Sequence, residues 1–295
     1  MNPRVSRAAV LAFALVSLAV SALQGQENTS GQPSERFQRS FALQPAGTLR
    51  VDNYKGTIHI TGSNTNQVVV NVLKRFEDGS DADRKWWMEN TKVNFRNDGG
   101  RVEVNVVYPD QSWSCWLCWA AHANYVAQVE LEIQVPTKTN LDLDGYKPDI
   151  KIDSFQGDIR IKSYKAPMTI ESTSGAIRID TYKDEIRLRN VAVRGELEIQ
   201  SYKAETQIDA RSLEGTANVQ TSRGSIVVRV PQEIGLNVDF AGGRRSSFHT
   251  DFPLATQVAG RSGQDVRGVV NGGGAHLVLR TDRGSVTLGK RAGEL

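Results

Sequence analysis

Cysteine and histidine are scarce in this chain, and their arrangement excludes most metal and haem chemistry. The 295 residues include two cysteines and four histidines. A structural zinc site needs four ligands, and Cys115, Cys118 and the nearby His122 supply three with no obvious fourth. Covalent haem attachment needs histidine directly after the second cysteine, whereas Trp119 stands there. The remaining histidines are scattered without ligand spacing, so we expect no metal and no cofactor: His59, His249 and His276.

Nucleotide-binding and hydrolase signatures are missing as well. Lysine and arginine number 36 against 33 aspartates and glutamates, and the resulting net charge of +3 is no basic footprint for nucleic acid. The glycines at 242–243 and 272–274 do not stand between a strand and a helix, as a phosphate loop requires. The sequence shows no catalytic Ser-His-Asp order with a nucleophile elbow, the sharp turn that presents the serine of such a triad.

Long apolar runs are absent except near the N-terminus. Arg4 and Arg7 precede an apolar run from Ala8 to Val20, and small residues follow it up to Ala22. This run is too short to span a bilayer and predicts a secretory signal peptide over residues 1–22. No cysteine follows directly, so no lipid anchor is predicted, and the polar residues 23–36 are predicted to form a flexible leader. The pattern predicts export to the periplasm, the cell surface or the extracellular medium.

The cysteine pair is conspicuous because the exported chain has no other cysteine. Cys115 and Cys118 are separated by two residues, and in an oxidising compartment such a pair is predicted to form a disulfide. Thioredoxin-like redox activity would require a strand–helix–strand unit around the pair, and the sequence shows none. Tryptophans flank the pair and either cap one end of the fold or form an exposed patch for a partner: Trp113, Trp116 and Trp119.

A repeat from Leu141 to Val230 dominates the rest of the chain. Four Tyr-Lys pairs recur at intervals of 18, 18 and 20 residues, and glycines recur between them at 18, 20 and 20. An apolar-x-apolar tripeptide follows each marker, as in Ile159/Ile161. Period two in each tripeptide predicts a strand with one buried face. Repetition of the unit predicts an all-β, single-domain β-solenoid with two strands per coil of 18–20 residues.

Shorter patterns extend this domain over residues 37–290. Asn53-Tyr54-Lys55-Gly56 looks like one more repeat corner, and residues 282–288 repeat the pattern of 222–228, so they are predicted to close the fold. Residues 241–264 are mostly polar and are predicted to form a loop.

One short helix is predicted within the irregular N-terminal part. Ser80 followed by Asp83 is a capping-box pattern, in which each residue binds the backbone of the other. The helix is expected to run to about Asn90 and to bury Trp86 or Trp87.

Several of these motifs resemble a bacterial family of exported putative adhesins, sometimes called toast-rack domains. Gly47-x-Leu49-x-Val51-x-Asn53 with Gly56-x-Ile58-x-Ile60 is similar to its start, and Asn271-Gly272-Gly273-Gly274 with Thr281-x-x-Gly284-x-Val286 is similar to its ending. The resemblance covers about 37–288 and implies an exported β-solenoid. The family is of unknown function and implies no catalytic residues. This chain departs from it by placing Tyr-Lys where Asn-Gly or Ser-Gly is usual.

A β-solenoid can also carry an enzyme, such as a polysaccharide lyase or hydrolase, whose carboxylates line one outer face. Stacked coils put Asp153 beside Glu171, and Glu185 beside Glu205. Neighbouring carboxylates can share a proton or hold a cation. The first of these columns continues with alternating charge, which is typical of a solvated ladder of cross-strand pairs. We therefore expect a non-catalytic adhesion or cell-envelope binding module, with a carbohydrate-active enzyme as the alternative.

The Tyr-Lys corners are the candidate binding site. Stacking the coils aligns the tyrosines in one column and the basic residues in another, at about 4.8 Å per coil. The members are Tyr146, Lys147, Tyr164, Lys165, Tyr182, Lys183, Tyr202, Lys203 and Arg223. Asp184, Glu185 and Glu205 are expected to offset part of the repulsion between the basic residues.

Two interpretations of these columns stay open. In the first, the rings pack to cover the corners while lysine prevents edge pairing. In the second, the rings stack on an extended anionic partner and the ammonium groups meet its charge. An acidic glycan, lipid head groups or another envelope protein would supply that charge, whereas nucleic acid is not expected.

Overall fold

The computed structural model describes residues 34–76, 79–109, 127–258 and 265–292. The described residues form one all-β unit, in which fifteen strands join in a single hydrogen-bonded sheet and one short helix is inserted. The predicted signal peptide, residues 23–33 of the predicted leader, and Cys115 and Cys118 lie outside the described residues. The disulfide and the role of the neighbouring tryptophans therefore stay predictions.

The N-terminal part combines antiparallel and parallel pairing. Its elements are β1 (Ser34–Ala42), β2 (Thr48–Ser63), β3 (Gln67–Arg75), α1 (Asp81–Asn90), β4 (Lys92–Asn97), β5 (Arg101–Val107) and β6 (Gln128–Pro136). Strands β1, β3 and β6 pair antiparallel in that order, and β4 pairs antiparallel with β5. Strand β2 pairs parallel with both β5 and β6, so it joins the two groups.

Strand β1 begins at Ser34, earlier than the predicted domain start at residue 37. Ser34, Glu35 and Arg36 pair with the end of β3. The Lys74 Nζ atom donates a 2.8 Å hydrogen bond to Glu35 Oε2 across this pair. These residues are polar and carry no apolar period, so only the cross-strand pairing reveals that they belong to the sheet.

The repeat folds into parallel strands that stack one repeat apart. Its strands are β7 (Asn140–Asp153), β8 (Ile159–Lys165), β9 (Met168–Glu171), β10 (Ser174–Arg223) and β11 (Ile226–Val230). Leu141 pairs in register with Ile159, which pairs with Ile177, and each is at most 2 % exposed. Strand β10 is long because it continues through several corners. The register confirms that equivalent residues of successive repeats align and that the apolar columns face the core.

The C-terminal part continues the parallel stack and then ends in antiparallel strands. Its strands are β12 (Leu236–Thr250), β13 (Ala255–Val258), β14 (Val266–Val270) and β15 (Ala275–Lys290). Strand β15 lies between β10 and β12, parallel to both, and also pairs with β11. Ile226 pairs with Val286, which confirms that the last repeat-like segment joins the stack. The prediction that it closes the fold is wrong, because residues 246–250 of β12 pair on its other side. Strands β14 and β13 continue from β12 in antiparallel order.

The prediction of a loop over residues 241–264 is wrong for 241–250 and 255–258. Residues 245–250 of β12 pair with β15, after a register shift between Gly242 and Arg245. A bulge of this kind leaves extra residues unpaired while the strand continues. Phe248 is the only large apolar residue of that stretch, and its ring stacks on Phe240 at 5.1 Å between centroids. Pairing with β15, rather than hydrophobic pattern, therefore makes this polar segment a strand.

Helix α1 begins as its sequence predicts. The Asp83 backbone N–H donates to Ser80 Oγ at 3.2 Å, and the Ser80 backbone N–H donates to Asp83 Oδ2 at 3.1 Å. This confirms the predicted capping box. Trp87 is the buried tryptophan, and it packs with Phe76 and Ala127 in a small cluster apart from the main core.

Candidate functional site

Tyrosine rings stack along one edge of the parallel strands. The stack, here called the tyrosine ladder, contains Tyr54, Tyr146, Tyr164, Tyr182 and Tyr202. Successive ring centroids are 4.9–5.0 Å apart and successive ring planes differ by 3–15°. The spacing matches the distance between neighbouring strands, so each coil contributes one ring. The predicted alignment of the four repeat tyrosines is therefore present, and Tyr54 adds a fifth ring.

Threonine and serine hydroxyls hold several of the corners from the inner side: Ser163 and Thr181 precede ladder tyrosines, and Thr221 stands at the equivalent position one repeat beyond Tyr202. Thr181 and Thr221 are at most 3 % exposed. The Thr221 Oγ1 atom donates to the backbone carbonyl of Arg223 at 3.1 Å. Ser163 Oγ donates to Thr181 Oγ1 at 2.8 Å, so neighbouring coils are also linked. Since alternate residues of a strand face opposite sides, the inward threonine or serine leaves the following tyrosine on the outer side.

The faces of the ladder rings are covered. Tyr146, Tyr164 and Tyr182 each have a stacked ring on both sides. At one end, the Tyr108 ring packs on Tyr54 at 5.6 Å with a tilt of 59°. At the other end, the Arg223 guanidinium lies 5.5 Å from the centroid of Tyr202. A partner cannot stack on these faces, so the hypothesis of ring-to-partner stacking does not fit the arrangement; edges and hydroxyls remain accessible.

Tyr108 anchors its end of the ladder from the interior. Its hydroxyl donates a 2.8 Å hydrogen bond to the Lys55 carbonyl and lies 3.2 Å from Asn53 Oδ1. Burial raises the pKa of the Tyr108 phenol far above its usual range, so this hydroxyl stays protonated and donates. Asn53 is fully buried and donates from Nδ2 to the Val129 carbonyl at 2.9 Å. The first corner is therefore fixed by buried hydrogen bonds rather than by ring packing alone.

Basic residues form a second column beside the ladder. This basic column consists of Lys55, Lys147, Lys165, Lys183, Lys203, Arg223, Arg283 and Arg245. Register pairs Lys55 with Lys147, and Lys165 with Lys183. Beyond the repeat, Arg283 pairs with both Arg223 and Arg245. The parallel strands of the stack thus place one cation per repeat at this corner.

The basic column carries unneutralised charge. Within the described part of the chain, none of its ammonium or guanidinium groups forms an ion pair. Glu185, expected to offset the column, is paired with Arg187, and Glu205 accepts a hydrogen bond from the Ser225 backbone N–H. Like charges on neighbouring strands destabilise a sheet. The column therefore keeps an electrostatic cost that an anion would relieve.

Some of these cations lie close to the ladder rings. The Lys147 Nζ atom is 5.0 Å from the Tyr146 centroid, and Lys165 Nζ is 5.3 Å from the Tyr164 centroid. Because neighbouring rings cover both faces of Tyr146 and Tyr164, these ammonium groups lie beside the rings and not over a face. Their closeness makes the two columns one continuous surface.

The outer carboxylates do not converge in a catalytic arrangement. Asp153 does pair in register with Glu171, as predicted. Other outer acids meet a cation, since Arg178 binds Glu196 at 3.0 Å and Glu198 at 2.6 Å. Across the described ranges, no three of the residues His, Cys, Asp and Glu are grouped so that they could hold a metal ion. No helix among the described residues is long and apolar enough to cross a membrane.

The pKa of one carboxyl group, that of Asp52, is raised. Asp52 pairs in register with Asp144 on neighbouring strands. Partial burial raises the pKa of Asp52 above its ordinary value of 3.8, and the Asp144 carboxylate raises it further, while the Arg50 guanidinium lowers it. The folded state therefore binds this proton more tightly than the unfolded state. The stability contributed by protonated Asp52 is present below pH 3.8 and is lost as the pH rises through the raised pKa.

We expect Asp52→Asn to raise the melting temperature slightly at pH 7, because the uncharged amide removes the ionised group that the fold disfavours. The gain should shrink as the pH falls and vanish below about 3.8, where the wild-type carboxyl is protonated. Thermal melts from pH 3 to pH 7 would measure it. The matched control is Asp180→Asn, because Asp180 pairs in register with Lys162 and loses an attraction instead. An equal gain in both variants would contradict the assignment.

Comparisons with known proteins give only distant matches. No protein-family model and no curated protein matches the chain. A putative cell adhesion protein from Clostridium sporogenes has 10 % identity and a TM-score of 0.38, over 87 % of this chain and 100 % of that chain. A putative adhesin from Bacteroides fragilis has 12 % identity and a TM-score of 0.42, over 87 % and 97 %. A putative adhesin from Parabacteroides merdae has 8 % identity and a TM-score of 0.25, over 88 % and 97 %.

These structural neighbours are putative adhesins. Their names match the kind of protein that the sequence motifs resemble. At these identities the likeness concerns the fold alone, and it assigns no ligand.

Sequence reasoning found part of this surface. The nine predicted binding residues lie together at one edge of the stack. Tyr54 and Lys55 also belong to this surface. The sequence carried a signal for them, because their segment resembles a repeat corner. Arg283 was visible in the repeated segment 282–288. Tyr108 and Arg245 had no such signal, since Tyr108 follows a strand of the irregular part and Arg245 joins the column only through the bulge in β12.

Proposed function

We propose that this protein is an exported, non-catalytic β-solenoid that binds an anionic partner in the cell envelope or at the cell surface, in the manner of an adhesion module. The observation that carries the proposal is the basic column, whose charges have no ionic partner within the described chain and stand beside accessible tyrosine hydroxyls. Two of the acids expected to offset the column have other partners, since Glu185 pairs with Arg187 and Glu205 accepts from the Ser225 backbone N–H.

The two columns supply complementary groups to an anion. Ammonium groups offer charge and three donors each, and phenol hydroxyls offer one donor each. Charge-assisted hydrogen bonds of this kind are stronger than neutral ones. The strand register fixes the backbone spacing of both columns, so the conformational entropy lost by the protein on binding is mainly that of the lysine and arginine side chains.

The competing view is that the ladder is only structural. Ring stacking covers the corners, and lysines at a sheet edge discourage pairing with other chains. This view accounts for the tyrosines, but it does not require that every corner carry a cation without a counter-charge. It also predicts no effect of lysine neutralisation on binding, which separates the two views by experiment.

We expect replacement of Lys147, Lys165, Lys183 and Lys203 by glutamine to lower affinity for anionic partners about tenfold or more. Exposed ion pairs are worth up to about 1 kcal/mol each, and 1.4 kcal/mol is a factor of ten. Retention on anionic glycan arrays and on phosphatidylglycerol vesicles would measure it, and wild-type binding should weaken steeply with added salt.

The control variant changes four exposed basic residues outside the column to glutamine: Lys138, Arg160, Arg194 and Arg229. It has the same net charge as the test variant, so a general charge effect would appear in both. Melting curves of both variants should first match those of the wild type. Unaltered retention of the test variant on every anionic surface would leave the ladder as structure alone.

A further inference from the structure

The basic column continues beyond the last ring of the tyrosine ladder. Lys203 lies beside Tyr202, and the next coils contribute Arg223, Arg283 and Arg245 without a tyrosine. The eight cations are separated by one strand spacing each, about 4.8 Å, so the column spans about 34 Å. The ladder accompanies its first five members, from Lys55 to Lys203.

We infer that the basic column binds a single linear acidic polysaccharide along its length, with about one sugar per strand; this deepens the proposed function and rests on it. An extended pyranose chain advances per sugar by about one strand spacing. A polymer of uronic acids carries one carboxylate on each sugar. Its carboxylates can therefore each face one cation of the basic column. When successive sugars are inverted, every second carboxylate faces the protein and aligns with every second cation.

The two halves of the column would recognise the glycan differently. In the ladder half, phenol hydroxyls can donate to sugar oxygens while lysine meets the carboxylate. In the arginine half, each planar guanidinium can bind a carboxylate through two parallel hydrogen bonds. Arg223 joins the halves, because its guanidinium lies on the Tyr202 ring and its register neighbour is Arg283.

Two other anionic partners fit the surface less well. Single-stranded nucleic acid is bound by stacking bases on accessible aromatic faces, and the ladder faces are covered. Stable binding to a lipid surface uses apolar side chains that enter the bilayer beside the cations. Among the described residues, the large hydrophobic side chains exposed outside the ladder are Val107 and Val269, and neither lies in the column.

The first test measures affinity against oligogalacturonates of two to twelve sugars by calorimetry. We expect affinity to rise with length up to about eight sugars, the length of the column, and then to level off. Phosphatidylglycerol vesicles and an oligodeoxythymidylate serve as competing probes at the same salt concentration.

The second test shortens the column at its far end. Arg245→Gln with Arg283→Gln should move the levelling point to about six sugars and weaken octasaccharide binding about fivefold to tenfold, while trisaccharide binding stays unchanged. The matched control, Arg160→Gln with Arg229→Gln, removes the same charge elsewhere and should retain the wild-type length dependence.

The possible failures are distinguishable. Affinity that does not depend on glycan length, or a double variant that behaves as wild type, would overturn the inference while leaving anionic binding intact. Tighter binding to the vesicles or to the oligodeoxythymidylate would replace the polysaccharide by that partner. Absence of binding to every probe would remove the proposed function itself.

Discussion

Replacement of Ile161 by aspartate is expected to prevent folding or to lower stability more than any surface change. Ile161 is fully buried and pairs in register with Leu143 on one side and Ile179 on the other. A carboxyl group there has no partner and must either lose its hydration as a charge or take up a proton. The cost is several kcal/mol, against a total stability of about 5–15 kcal/mol for a typical domain. Yield of soluble protein and thermal melts by circular dichroism would measure it.

The control for this change lies next to it in the strand. Arg160 points outward, is exposed, and forms no ion pair among the described residues. Arg160→Ala should cost within about 0.5 kcal/mol. It is a better control than Arg178, which binds two glutamates. A milder core change, Ile161→Val, should cost about 0.5–1.5 kcal/mol and still fold. Equal losses at Ile161 and Arg160 would contradict the inward and outward assignment.

The second large effect is expected at a glycine corner. Gly215 has a φ of +102°, and a Cβ atom added there would lie 2.1 Å from the carbonyl oxygen of Gly195 on the neighbouring coil. Gly195 itself has a φ of +88°, but an added Cβ atom would meet nothing within 4 Å. The two positions therefore share the backbone conformation that disfavours side chains and differ in the contact between coils.

We expect Gly195→Ala to cost about 1–2 kcal/mol from backbone strain alone. Gly215→Ala should cost about 2–5 kcal/mol, because overpacking against backbone adds to the same strain. Denaturant unfolding of both variants would measure the difference. Similar losses for the two would show that conformation, and not the close approach of coils, explains glycine at this corner.

The all-β class and the alignment of the repeat follow from local sequence patterns. Period two within each tripeptide reports which side chains are buried, and burial is the strongest requirement that a strand places on its residues. Ile159 and Ile177, which begin equivalent tripeptides 18 residues apart, are therefore predicted to share a column, and the register confirms it. The capping box at Ser80 was equally readable, because both partners are three residues apart in the chain.

Features that depend on contacts between distant segments were decided only by the tertiary structure. Residues 241–250 carry little apolar pattern and become a strand because β15 supplies the hydrogen-bonding edge. The basic column crosses from Lys55 to Lys147, with most of the N-terminal part between them in sequence. Register between such segments depends on how the intervening elements pack, which no local pattern encodes.

The accessible side of the tyrosines was also a tertiary result. The sequence placed the rings in one column, but it left open whether their faces or their edges meet solvent. Ring orientation depends on corner hydrogen bonds, such as that from Thr181 Oγ1 to the Lys183 carbonyl, and on the distance between neighbouring strands. At 4.9–5.0 Å between centroids the faces cover one another, so the chemistry left for a partner is that of hydroxyls and neighbouring cations.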